Sequence, residues 1–421
     1  FFHLLLASFV LVTIPFFDDL PFLFKHLHRW FSQDFGWFQF VQFFLCFVVI
    51  FVPTFLFGAI FPLVNRLLFG TDQPPAAVVG KLYAVNTFGA IAGSLVSGFI
   101  LIPLMGGIQP ALKLAAVLHL MMGMVFLGIS PSFLFLKKAA VAICFLVVLT
   151  GGIFFEKRWD PALLYSGMYL YAPQYSDNLN DFKEGLRQGK ILFHKEGIHA
   201  TVTVKDFSKN WLVLRINGKA DASSREHPES DLASQYLLAH IPALLHPKPR
   251  SAAVIGLGSG STVGAALSYP LEEIDVIEIS PEVIEASWFF SRVNGHALDD
   301  PRVRLIVQDA RQYLLATQKR YDLILSEPSN PWITGISNLF TKDHYEMLKT
   351  KLEPGGIVAQ WFHYYSMNET DFKIALKTFS SVFRYVTLWD VHYGSRFAIG
   401  DVILIGSEIP LRPSRGGIEE K

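Results

Sequence analysis

The chain has 421 residues, of which 51% are apolar and 17% charged, and its mean hydropathy is +0.36. Soluble domains carry nearer a quarter charged residues, so part of this chain is expected to avoid water. Lys and Arg number 36 against 36 Asp and Glu, which leaves no basic field for nucleic acid and no acidic one for a cationic partner.

The apolar runs crowd into the first part of the chain, where a membrane-crossing helix needs about 20 mostly apolar residues. Runs at 1–17, 37–69, 82–104, 111–129 and 133–155 predict an N-terminal transmembrane α-helical bundle over 1–155 with about five crossings. The run 37–69 exceeds one crossing and contains Pro53 and Pro62, so a kink, a tilt or a continuation along the surface is expected. Gly89, Gly93 and Ser97 stand four apart, a spacing that suits close helix packing. No run carries an acid at its centre, and the region reads as an anchor whose partner is the lipid bilayer. Lys and Arg divide almost equally between alternate loops, so charge does not set the orientation. The sequence opens at Phe1 inside a hydrophobic run, and it is read as starting partway through a longer protein. Cys46 and Cys144 lie in apolar runs and are expected as small buried hydrophobes, with no metal.

Charged residues and turn signals make 156–190 a linker. Strand patterns at 199–204 and 211–216, followed by an Asn217-Gly218 turn, predict a small antiparallel β region over 191–220. Residues 231–245 read as a helix with Ser230 or Asp231 as N-cap, closed by Pro247.

The strongest local signal follows. A β-branched strand from Ser251 runs into Gly256-Leu-Gly258-Ser-Gly260 and then a helix. Such glycines let a ligand approach the backbone, and the helix start offers free N–H groups. Glycine-rich turns also occur in dinucleotide folds and as plain structure. The next strand ends in Glu278, about 20 residues beyond the glycines, where a carboxylate can take both hydroxyls of a ribose. Two further strands end at Asp309-Ala310 and at Ser326-Glu327. Acids at the carboxyl ends of successive parallel strands mark the ligand rim of an α/β Rossmann-like, methyltransferase-type sheet. The Gly-x-Gly-x-Gly spacing and the third acid favour an adenosyl-sulfonium ligand over a dinucleotide. Farther on, 370–383 reads as a helix and 386–389 with 402–405 as an antiparallel C-terminal edge. His392 reads as a loop residue and 411–421 as a tail.

Several of these runs together resemble the spermidine synthase (polyamine aminopropyltransferase) family. They are Asn217-Gly-Lys-Ala-Asp-Ala-Ser, His240-Ile-Pro, the Gly256 turn, Glu278, Asp309, Tyr321-Asp322, Glu327-Pro-Ser-Asn-Pro, Asn338-Leu-Phe-Thr, Pro354-Gly-Gly and Gln360-Trp. With the apolar half included, the whole is similar to bacterial fused membrane spermidine synthase-like proteins. The resemblance implies a spermidine synthase-type domain over 221–410 that uses decarboxylated S-adenosylmethionine and a small amine acceptor. It places the cofactor on Gly256, Gly258, Gly260, Glu278, Asp309, Ala310 and His240. It makes Glu327 the general base and puts Asn330, Gln360 and Tyr236 at the acceptor. It also implies an inner-membrane protein with the soluble domain in the cytoplasm, working as a homodimer or within a larger membrane complex. The sequence departs from the family pattern where it matters for the acceptor. Glu327 and Asn330 stand for paired aspartates, Ser234 and Tyr236 for a tyrosine and a glutamate, and Lys219 for a glutamine, so putrescine is not the expected acceptor. Two other readings stay open: methyl transfer from S-adenosylmethionine, and a non-catalytic subunit of a membrane assembly.

Overall fold

The computed structural model describes residues 1–68, 74–130, 138–143, 145–146, 150, 157–208, 211–225, 231–333, 335–391 and 400–411. They fall into two compact units: Phe1–Gln188 with Lys195–Ile198, and Gly189–His194 with His199–Lys421.

The first unit is helical. Helix α1 (Phe2–Thr13) gives way at Ile14–Asp19 to a tight 3-10 turn containing Pro15, and α2 (Leu20–Phe31) follows. The long run expected to kink is one helix, α3 (Phe35–Leu68), with Pro53 and Pro62 inside it. Helix α4 (Pro75–Val96) starts earlier than its apolar core because Pro74 and Pro75 suit a first turn. It passes through a π-turn at Ser97–Leu101 and ends at Gly106 in the left-handed conformation. Helix α5 is Ile108–Ile129. Among the described residues, four helical stretches are long and apolar enough to cross a membrane: Phe2–Phe31, Phe35–Leu68, Pro75–Met105 and Ile108–Ile129. The fifth expected crossing, 133–155, lies mostly outside the described residues, as do Cys144, His392 and 412–421.

Close packing falls elsewhere than expected. A Cβ on Gly89 or Gly93 would meet nothing within 4 Å among the described residues, whereas one on Gly123 would lie 2.5 Å from Leu4 Cδ2. It is Gly123 on α5 that lets α1 approach. Cys46, expected buried, is exposed on α3. The stretch read as a linker is ordered: α6 (Leu179–Arg187) is capped by Asn178 and packs Phe182 and Leu186 against Leu163 and Met168.

The second unit holds two sheets. The small one has four strands in the order β1 (Lys190–Glu196), β2 (Thr201–Asp206), β3 (Leu212–Ile216), β4 (Lys219–Ser223), one hairpin more than expected. The large one has seven, in the order β10-β11-β9-β8-β5-β6-β7. Its parallel part is β5 (Ser251–Ile255), β6 (Glu273–Glu278), β7 (Val303–Val307), β8 (Tyr321–Ser326) and β9 (Leu352–His363); β11 (Asp401–Ser407) and β10 (Tyr385–Asp390) close it antiparallel. Both faces of the central strands are covered, so Ala252–Ile255 and Leu323–Leu325 are unbroken apolar runs at 0–2% exposure. This is the expected helical region followed by a Rossmann-like sheet with an antiparallel edge. Chain order reverses at β5, between β8 and β6, and that crevice is where such sheets take ligands.

Candidate active site

A cavity of about 660 Å³ opens at the carboxyl ends of β5, β6 and β8 within the second unit. Its floor is the turn after β5. Gly256 has φ +86°, and a Cβ there would sit 2.6 Å from the carbonyl oxygen of Glu327, so only glycine lets the β5 and β8 turns meet. Gly258 lines the cavity beside it. Gly260 does not. It precedes helix α8 (Ser261–Ala266) with φ +80°, where a Cβ would press on Asn294, and it serves packing.

Glu278, at the end of β6, is 8% exposed. One carboxylate oxygen accepts from Leu257 N at 3.0 Å and the other from Ser280 N at 2.8 Å. Burial pushes its pKa up, against these backbone donors. Ile279 is a third backbone donor to this carboxylate, which leaves about one of its four acceptor positions for another donor. Asp309 caps α9 (Ala310–Ala316) through Gln312 N at 2.8 Å, and both Asp309 and Ala310 line the cavity.

At the other end stands Glu327. Its Oε2 lies 2.5 Å from Thr262 Oγ1. Burial pushes its pKa up to about 8; Thr262 opposes this, and the charges of Asp401, Asp231 and Asp221 add to it. Those three acids also line the cavity. Asp401 is pushed up to about 7, first by burial and then by Asp231, against hydrogen bonds to Ser234 and Trp361. Desolvation raises Asp231, opposed by Lys219 and helped by Asp221. Asp221 Oδ1 accepts from Lys219 Nζ at 3.0 Å and Ser329 Oγ at 2.6 Å. Among the described residues its Oδ2 has no partner, and neither has Gln235 Nε2, although Gln235 Oε1 accepts from Ser259 Oγ at 2.6 Å. A buried carboxylate oxygen and amide N–H at this wall suit a polar ligand or water.

Of the residues expected from sequence, Gly256, Gly258, Glu278, Asp309, Ala310 and Glu327 meet at this cavity. The others stand off it. His240 hydrogen-bonds Tyr269 at 2.9 Å, and burial lowers its pKa. Tyr236 donates to Val293 O at 2.7 Å. Asn330 is fully buried and donates to Tyr365 OH at 3.2 Å; Gln360, also buried, donates to Trp361 O at 2.9 Å. Asp221, Asp231, Gln235 and Asp401 were not singled out from sequence. Asp221 sits inside the quoted Asn217 run, Asp231 was read only as a cap, and Asp401 carries no local motif.

The second unit is similar to known proteins. A family model described as "Spermine/spermidine synthase domain" matches residues 232–391. A spermidine synthase of Coffea arabica is 30% identical over 219 residues, 49% of this chain and 68% of that protein. One of Dictyostelium discoideum is 31% identical over 180 residues, 41% of this chain and 62% of that protein, so the chain spans less than two thirds of it. The solved spermidine synthase from Thermotoga maritima is 19% identical over 53% of this chain and 74% of that one, with a TM-score of 0.46.

Proposed function

The chain belongs to the spermidine synthase family, and from that premise we propose that it is a membrane-anchored aminopropyltransferase that joins decarboxylated S-adenosylmethionine to an amine. The observation that carries this reading is one cavity with a buried carboxylate, Glu278, at one end and a high-pKa carboxylate, Glu327, among like charges at the other. The residues fit the cofactor: Gly258 lines the cavity with open space where a Cβ would stand, Glu278 keeps an acceptor position for a ribose hydroxyl, and Asp309-Ala310 borders the place for the base.

When bound, the cofactor supplies a propyl carbon whose bond to the sulfonium breaks as the acceptor nitrogen bonds to it, sulfur leaving as a neutral thioether. Glu327 takes the proton that an ammonium must lose before its nitrogen can attack. A carboxyl with a pKa near 8 is matched to that transfer at neutral pH. Asp221, Asp231 and Asp401 attract the cation and hold it near the base. The apolar helices are read as an anchor in a lipid bilayer, at the bacterial inner membrane with the catalytic domain in the cytoplasm. The domain, taken as 221–410, is read as dimerising.

Methyl transfer is the second reading, and one feature favours it. Lys219 lines the cavity, and intact S-adenosylmethionine has a carboxylate that the decarboxylated form lacks. Calorimetric titration of both cofactors into the detergent-purified chain, wild type and Glu278→Ala, separates the two. Tighter binding of the decarboxylated form, lost in the variant, supports aminopropyl transfer. Preference for the intact form overturns it.

A further inference from the structure

Away from the cavity, two large aromatic side chains of the second unit face outward side by side. After the short helix Pro281–Ser287 the chain makes one 3-10 turn, Trp288–Phe290. Three residues close such a turn, so only one of the three rings can point inward. Phe290 takes that place at 1% exposure, while Trp288 is 46% and Phe289 40% exposed. The Phe289 ring also lies 5.9 Å, centroid to centroid, from that of Phe193 on β1. One exposed apolar residue is ordinary, but adjoining aromatic rings mark a contact surface.

The far end of β1 points to what that surface meets. Residues Lys195–Ile198 belong to the first unit. There Glu196 accepts from Ile108 N at 2.5 Å and from the Tyr165 hydroxyl at 2.7 Å. Ile108 opens α5, and only Gly106-Gly107 separates it from the apolar stretch Pro75–Met105. Two crossings joined by two residues must turn at one membrane surface. A Cβ on Gly107 would stand 3.0 Å from Glu196 Oε2, so this glycine gives the carboxylate its room. Other polar contacts gather at the same turn: Gln109 Nε2 donates to Lys157 O at 2.9 Å, and Trp159 N to Gln109 Oε1 at 3.0 Å. Phe193 stands three residues before Glu196, no more than about 10 Å along the chain. Ile198, 53% exposed, follows in the same turn. The aromatic pair is thus tethered close to a bilayer surface. Its flanking charges are mixed, Arg292 against Glu285, so no headgroup of one sign is called for.

We propose that Trp288 and Phe289 rest in the headgroup region of the bilayer that the chain itself spans. Tryptophan favours that depth because its ring is apolar and its N–H is polar. This rests on the reading of the apolar helices as membrane-spanning, and it adds a lipid contact made by the other unit.

The test reconstitutes the full chain into liposomes of phosphatidylcholine, either ordinary or brominated on the acyl chains near the headgroup, and reads tryptophan emission. Bromine quenches a ring only on contact. The chain has 8 tryptophans, and the share of Trp288 is the difference between wild type and Trp288→Phe. That share should be lost in brominated liposomes and kept against water-soluble acrylamide. Adding Phe289→Trp to Trp288→Phe should restore the lipid quenching. A Trp288 share that brominated lipid leaves intact overturns the proposal. Acrylamide then tells where the ring is: quenching leaves it in water, and protection assigns it to a protein contact such as a second copy. Trp37 on α3, read the same way through Trp37→Phe, reports on the membrane reading by itself. Quenching of Trp37 without Trp288 overturns the lipid contact alone, and quenching of neither overturns both.

Discussion

The Glu327 carboxylate and the Thr262 hydroxyl lie 2.5 Å apart, and the same hydroxyl is 2.9 Å from the carbonyl oxygen of Gln235. A hydroxyl has one proton to give. With Glu327 pushed up to about 8, the arrangement at neutral pH has the acid donating to Thr262 and Thr262 donating to Gln235. Losing the proton from Glu327 turns the hydroxyl round.

Aminopropyl transfer should therefore rise with pH as Glu327 ionises. The groups that face it are Asp401, Asp231 and Asp221, which raise its pKa, with Thr262 opposing and Lys219 acting on Asp231 and Asp401. A pH profile of kcat/KM should climb toward a plateau above about pH 8. Thr262→Val removes the hydrogen bond that favours the anion and should move that limb to higher pH. Glu327→Gln should lower kcat by about 10²- to 10⁴-fold.

The same acids make stability depend on pH. Burial holds the pKa values of Glu327 and Asp401 in the folded chain at about 8 and about 7, above the ordinary carboxylate values of 4.5 and 3.8. Between those limits the native state binds more protons than the unfolded chain, so their contribution to stability is present at low pH and lost as pH rises. Thermal unfolding of Glu327→Gln against wild type should show a gain at pH 8.5 and little difference at pH 4.

Gly256→Ala tests the turn geometry. The new Cβ, 2.6 Å from Glu327 O at φ +86°, must push the β5 and β8 turns apart, at a cost of about 1–3 kcal/mol. Methylthioadenosine affinity, read by calorimetry, should fall by about 5- to 100-fold where that strain falls on the bound state, since 1.4 kcal/mol is a factor of ten.

His240→Phe should leave methylthioadenosine affinity within about twofold. Its ring is committed to Tyr269, off the cavity, so the variant should lose only about 1 kcal/mol of stability. The calorimetric titration and a melting curve check both halves.

Where the chemistry sits on one strand end, the sequence could be read directly. The Gly256 turn, Glu278, Asp309 and Glu327 each follow a β-rich run, and the parallel sheet gathers them at one rim. Helix α7 (Leu232–Leu245) shows why neighbours failed. Ser234 and Gln235 line the cavity, while Tyr236 and His240, four apart, share another face with ring centroids 6.4 Å apart. Asp401 could not be placed because its position depends on a long-range antiparallel register with β9. In the first unit, Gly123 was passed over because its role depends on Leu4 from a distant helix.

The most direct test is product formation. The purified full chain is incubated with decarboxylated S-adenosylmethionine and a panel of mono- and diamines, and methylthioadenosine and the aminopropylated amine are followed by chromatography. Equal release of both products, dependent on an amine and lost in Glu327→Gln, is the predicted result. Tight nucleoside binding with neither product for any amine would contradict it and leave a protein that keeps the fold without the reaction.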